Sequence, residues 1–234
     1  MKCFQFEIKG HWAHFKRPET SNNPLSHDMI TKTALIGMIG AVLGIERKDM
    51  KELFPRLSED LLYNVQLLSP VKKVPIGLTS WRAIKFEYTR KSFEVLKEPA
   101  NLVTLALKDC RSTSIYEAFK SSLIKDEAIY PPVLGWHNCL AELKYVSDGQ
   151  LSDIELQGIY STKGFVLAHD FKPELDSDLK IGFDKLPTYQ NNDFWNDPEK
   201  YVQIVYPEVD CQLTGEGKYR IYETANTEEK LCLI

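Results

Sequence analysis

The chain contains no C-x-x-C pair. Its five cysteines, Cys3, Cys110, Cys139, Cys211 and Cys232, are odd in number and dispersed. That spread argues against a disulfide framework and against a zinc site, and it predicts reduced thiols in a cytosol. No apolar run reaches the ~20 residues of a membrane span; the longest, within 34–45, is about 12. No membrane partner is therefore expected. No secretory leader is visible, because Met1-Lys2-Cys3-Phe4 runs directly into a strand pattern, so the expected location is cytoplasmic. G-x-S-x-G, P-loop and dinucleotide fingerprints are missing, and no cofactor is expected. Internal repeats and low-complexity tracts are also missing. Positive charge is not in excess: 29 Lys and Arg stand against 33 Asp and Glu, for a net charge of −4. This counts against a free-standing nucleic-acid binder, although a local basic patch inside a larger assembly escapes that objection.

What is present is an ordinary globular composition over 234 residues, enough for one good core with one appended lobe. Residues 2–9 alternate, with Phe4, Phe6 and Ile8 on one side and Cys3, Gln5, Glu7 and Lys9 on the other, as a half-buried strand does. A loop of about 20 residues follows, from His11 to Ile30. A connection that long in a compact domain is functional or disordered, and Trp12 and Phe15 argue against disorder. Thr31-Lys32-Thr33 then starts a helix to Ile45 that is apolar almost all round, with Gly37, Ala41 and Gly44 along one stripe. Each interior glycine costs about 0.5–1 kcal/mol against alanine, so close backbone approach is the expected reason for them. The start of this helix, with Lys16, Arg17 and Lys32, suits an anion; a plain capped terminus reads equally well.

Further along, Met50–Leu57 reads as a short amphipathic segment stopped around Pro55, and Leu61–Leu68 and Asn101–Leu107 read as strands. Ser114-Ile115-Tyr116-Glu117 has the form of a capping box opening a helix to about Lys125. A rigid Pro131–Gly135 turn precedes a fourth strand, Cys139–Val146. The resulting order is the ferredoxin-like β-α-β-β-α-β pattern shared by RNA-recognition modules. The fold class is therefore α+β: a ferredoxin-like domain over 1–146, with a protruding hairpin at about 70–99, and a β-rich C-terminal extension over 147–234. Beyond Gly149 the pattern is less legible. Gly215-Glu216-Gly217 reads as a turn, and 171–197 reads as irregular. Lys163-Gly164-Phe165-Val166 matches only the start of an RNA-recognition signature and is treated as chance.

Residues 70–99 form the most basic stretch. Lys72, Lys73, Arg82, Lys85, Arg90, Lys91 and Lys97 alternate with Trp81, Phe86, Tyr88 and Phe93. Cations hold phosphates and rings stack on bases, so this composition suits single-stranded nucleic acid; a solvated hairpin with a few packing aromatics is the plain alternative. For catalysis, a metal-free ribonuclease needs a histidine, tyrosine or lysine near the 2′-hydroxyl. His14, His27 and His137 are the candidates, and nothing in the pattern brings them together. No fixed frame of metal ligands is evident, so no metal is expected.

The opening strand, Gly10, His14-Phe15, the run Thr31–Gly40 and Leu43-Gly44-Ile45 resemble the N-terminal signature of the fifth-numbered CRISPR-associated (Cas) protein family, a branch of the RAMP superfamily found in type I surveillance complexes (Cascade). Pro131–Gly135 followed by Asn138–Ala141 is similar to that family's second recurring block. The resemblance covers roughly residues 1–146. It implies a non-catalytic subunit that binds the 5′ handle of the CRISPR RNA (crRNA) through an RNA-recognition-like domain and a thumb hairpin. The implied partners are the large subunit and the first backbone subunit, with target DNA met only through the complex. It places RNA contacts at His14, Phe15, Lys16, Arg17, Thr31, Lys32 and Thr33, at Lys72, Lys73, Trp81, Arg82, Lys85, Tyr88, Arg90 and Lys91 of the thumb, and at Gly135, Trp136 and His137. Type I-C members also cut precursor RNA, but here no lysine precedes Trp136-His137. The overall look is closer to the I-B branch. Two alternatives stay open: a metal-independent endoribonuclease and a mainly structural adaptor.

Overall fold

The structure, a computed structural model, describes residues 1–21, 23–82, 87–174, 179–190 and 198–234, with backbone alone at 80–82 and 87. Its N-terminal portion comprises β1 (Lys2–Lys9), β2 (Trp12–Ala13), α1 (Lys32–Val42), α2 (Arg47–Asp60), β3 (Leu61–Leu67), β4 (Lys73–Arg82), β5 (Glu87–Lys97), β6 (Ala100–Leu107) and α3 (Thr113–Lys125). The chain continues with β7 (Glu142–Leu151), β8 (Leu156–Thr162), β9 (Val166–Leu167), β10 (Phe171–Pro173), β11 (Ile181–Tyr189), β12 (Lys200–Pro207), β13 (Leu213–Glu223) and β14 (Glu228–Leu231).

Four strands pair in the order β7-β1-β6-β3, every neighbour antiparallel. With α1 and α2 linking β1 to β3, and α3 linking β6 to β7, this is the expected ferredoxin-like pattern. Phe4, Phe6 and Ile8 of β1 are fully buried under the helices beside Leu35, Ile39 and Phe119. The other face of β1 is covered near its start as well. Cys3 packs with Leu151, Tyr222 and Leu231, and Gln5 Nε2 donates to Thr104 and Glu229. The expected half-buried strand is thus buried on both faces where the C-terminal strands cross it.

Several boundaries differ from the sequence reading for physical reasons. Helix α2 runs through Pro55 to Asp60. Proline removes one backbone hydrogen bond, but burial of Met50, Phe54 and Leu57 carries the helix past it. Helix α3 begins two residues earlier than the expected capping box, after a 3-10 turn at Cys110–Ser112. Its N-cap is Ser112, whose hydroxyl is spent on Asp60 rather than on the helix. Gly215 and Gly217 lie inside β13, not in a turn, between β8 and β10. A Cβ at Gly215 would stand 2.3 Å from the Lys172 carbonyl and 2.7 Å from the Phe171 ring. Within the stretch read as irregular, Ile181–Tyr189 is a nine-residue strand.

The C-terminal strands interlock with the first domain. The expected boundary after residue 146 falls inside β7, and β7 and β8 run one after the other along β13. Phe165, Leu186, Ile204 and Tyr206 enter the same core as Phe6 and Ile39. Ile234 exchanges both backbone hydrogen bonds with Tyr63 of β3. Strands β11, β12 and β9 form a second sheet; β2, β5 and β4 form a third. In that third sheet β4 and β5 pair from Lys73↔Leu96 to Arg82↔Glu87, a long two-stranded thumb within the expected 70–99 stretch. No helix among the described residues is long and apolar enough to cross a membrane.

Candidate functional site

The helix start read from Thr31-Lys32-Thr33 is real. Thr31 is the N-cap, and its Oγ1 accepts from the Ala34 amide at 3.2 Å. A groove of about 560 Å³ opens there. Its lining includes Lys16 and Pro18 of the loop, Thr31, Thr33, Ala34 and Gly37 of the helix, and Val133 and Gly135 of the later turn. Three segments far apart in sequence therefore meet at one place. Gly135 makes the meeting possible: its φ is +81°, and a Cβ would stand 2.2 Å from the His14 carbonyl oxygen. The far wall, with Pro187, Gln190 and Pro198, comes from the C-terminal third.

Gly37 is on the groove floor. A Cβ there would meet only the Phe54 ring, at 3.8 Å, an ordinary contact. Nothing within the described chain requires that glycine, although it weakens the helix. Gly40 and Gly44 are explained internally, by Met50 and by Ile129 with a positive φ at Gly44.

The other expected contact residues divide into exposed and enclosed groups. Lys16, Lys72, Arg90 and His137 are exposed and Lys91 is half-buried. Tyr88 is 74% exposed on the thumb. His14 and Phe15 are buried. The His14 Nδ1 lies 2.7 Å from the Glu94 carbonyl, and burial, the largest influence, holds its imidazole below the ordinary histidine range. Arg17 donates to Asp184 at 2.8 Å and to the Ser26 carbonyl. Lys73 pairs with Asp28 at 2.6 Å and Glu94 at 3.2 Å. Lys32 is 4% exposed, and burial together with Lys108 lowers its amine to about 8. Lys85, and the side chains of Trp81 and Arg82, lie outside the described residues.

Trp136 packs between elements. Its indole stacks on Phe93 of the thumb, with centroids 5.2 Å apart and planes 13° apart, and meets the edges of His14 and His137 at 6.1 and 5.7 Å. The aromatic contact ties the 133–140 turn to the root of the thumb. His27, the remaining histidine candidate, is 2% exposed and pairs with Asp184 at 3.1 Å. The three candidate histidines thus occupy two separate environments. Among the described residues no group of three His, Cys, Asp or Glu is arranged to hold a metal ion.

Sequence reasoning missed Asp28, Phe93, Glu94, Asp184 and Tyr206 as organisers of this region. The one available signal was Asp184: within β11 it occupies an alternation position shared with Leu186, which is fully buried. Burial alone would raise its carboxyl, but His27, the Asp28 amide and Arg17 together hold it below the usual carboxylate range.

Residues 3–76 match the family model described as CRISPR-associated protein (Cas_Cas5). No curated protein matches the chain. Among solved structures, a CRISPR protein from Archaeoglobus fulgidus is 14% identical, with a TM-score of 0.59 over 98% of this chain and 99% of that one. A chain described as a CRISPR RNA-guided surveillance complex is 14% identical, with a TM-score of 0.56 over 88% of this chain and 90% of that one. A chain of a type III-B Cmr-beta structure, described as bound to cognate target RNA and AMPPnP, is 10% identical, with a TM-score of 0.50 and coverage of 90% and 86%. At such identities the likeness is one of fold. The chain thus resembles the Cas5 family model over residues 3–76 and shares the fold of the Archaeoglobus fulgidus protein along nearly its whole length.

Proposed function

We propose that this chain is a non-catalytic RNA-binding subunit of a type I CRISPR effector complex. It caps the 5′ handle of the crRNA and contacts the large subunit and the first backbone subunit. The observation that carries the reading is the convergence of residues 16–18, 31–37 and 133–135 on one groove, beside a long two-stranded hairpin. The positive end of the α1 dipole suits a phosphate, and Lys16 on the groove wall adds positive charge. In this reading Lys72, Arg90 and Lys91 follow the backbone and Tyr88 receives a base; their exposed or half-exposed side chains support it. Arg17, Lys73 and Lys32 serve the site indirectly, since two are already paired with carboxylates and the third is enclosed. A binding role, rather than cleavage, is supported by the settings of the candidate histidines: His14 and His27 are buried against the Glu94 carbonyl and Asp184, and of the three only His137 is exposed.

The test is binding of single-stranded repeat RNA against salt. Each phosphate contact contributes about −0.7 to the log–log slope, so the four exposed or half-exposed cations should give about −3. Replacing Lys16, Arg90 and Lys91 together with alanine should flatten it by about 2. A flat response in the parent protein contradicts the proposal and favours an adaptor. Cleavage of that RNA in EDTA contradicts the non-catalytic part.

A further inference from the structure

The C-terminal third has no role in the reading above beyond one wall of the groove, yet it supplies the centre of a polar network. Asp184 sits on β11 with its side chain fully enclosed. One oxygen accepts from Arg17 Nη2 at 2.8 Å and lies 3.1 Å from His27 Nδ1; the other accepts from the Asp28 amide at 2.8 Å. The Asp28 carboxylate is held in turn by the Tyr206 hydroxyl at 2.6 Å, from β12, and by Lys73 at 2.6 Å, from the root of the thumb. Lys73 also donates to the Ser26 carbonyl and pairs with Glu94, whose carboxylate accepts from the Ser26 amide at 3.1 Å. The Glu94 carbonyl meets His14. One uninterrupted chain of contacts therefore runs from β11 through the 14–28 loop to both thumb strands.

A buried carboxylate is costly unless its lone pairs are satisfied, and groups sharing such a network act as a unit. Removing the central acceptor leaves Arg17 and an amide without their partner. The consequence is local, because the hydrogen bonds and ion pairs named here join β11, β12, the 14–28 loop and the root of the thumb, and none of them ends on β1, β6 or β3.

We propose that Asp184 is a positioning residue: resting on the RNA-binding reading, it fixes the Lys16–Arg17 segment and, through Asp28 and Lys73, the root of the thumb, so that groove and hairpin face one ligand. Asp184, which does not line the groove, thereby shapes the binding site without touching RNA.

The experiment compares Asp184→Asn with Asp60→Asn in the full chain. Asp60 is an equally enclosed carboxylate that holds Ser112 and Arg111 far from the groove. Amide hydrogen exchange is followed in the free protein, and affinity is measured for a labelled single-stranded RNA of the repeat sequence. Asp184→Asn should speed exchange at least 10-fold at residues 15–17, 26–28 and 94, leave β1 and β6 protected, and weaken RNA binding about 10-fold. Asp60→Asn should lower the melting temperature with affinity unchanged. A cycle with Lys73→Met should be strongly non-additive, since both residues act through Asp28. Exchange changes confined to β11, or RNA affinity lost equally in both variants, would overturn the proposal. If the parent protein binds no RNA, the RNA-binding reading fails on its own; the exchange arm still decides whether Asp184 holds the loop and the thumb.

Discussion

Lys32 shows how one side chain couples stability to pH. Its amine is enclosed, with a folded value of about 8 against 10.5 for an ordinary lysine. Between those values the unfolded chain binds more protons, so stability rises with pH across that window, and below it the full penalty persists. The difference corresponds to about 3 kcal/mol. Lys32→Met should therefore stabilise the protein by about 1–3 kcal/mol at pH 7 in urea unfolding, and the gain should shrink toward pH 10.5. A variant less stable at pH 7 would show that the amine has a compensating partner. Two glycines give a second residue-scale contrast. Gly135→Ala should cost at least about 2 kcal/mol, since it combines a positive φ with a backbone clash. Gly37→Ala should instead gain about 0.5–1 kcal/mol while weakening RNA binding, because the new methyl occupies the groove floor. Thermal melts and RNA titrations of the two variants check both statements.

At the scale of elements, two sets of contacts hold the thumb at its root. The Phe93–Trp136 stack and the Lys73–Asp28–Glu94 cluster lie at the base, while Leu78 and Tyr88 stand exposed further out. A double-mutant cycle of Phe93→Ala and Trp136→Ala should return a coupling of about 0.5–1.5 kcal/mol in denaturant unfolding. Tyr88→Ala should cost about 1–3 kcal/mol in RNA affinity. Near-zero coupling in the first, or unchanged affinity in the second, would contradict these roles. The elements that declared themselves in sequence were those with a strong local signal: the alternation of β1, the apolar run of α1 behind Thr31, and the apolar runs of β3 and β6. The misreadings have local causes. Pro55 was read as a stop, but burial of Phe54 and Leu57 outweighs one lost hydrogen bond. Gly215 and Gly217 were read as a turn because glycine marks turns and close contacts alike, and only the Phe171 ring tells them apart.

At the scale of the whole molecule, the N-terminal half of the site was legible because Thr31, Gly135 and the basic hairpin are local signals. The C-terminal half was not. Asp184, Tyr206 and Pro187 reach the site only through long-range pairing, and a lone acidic residue in a strand carries no label of its own. Nor does a formal charge separate the cations that face outward, Lys16 and Arg90, from those paired with carboxylates within the fold, Arg17 and Lys73.

The most direct test of the central claim is a crosslink map of the bound RNA. The chain would be expressed with its genomic neighbours and a repeat–spacer array, the assembly purified, and photocrosslinked nucleotides assigned to residues. The account predicts crosslinks from the 5′ handle to residues 16–18, 31–37, 88–91 and 135–137. Handle RNA present in the assembly but crosslinked only elsewhere, or an assembled complex whose RNA never reaches this chain, would contradict it.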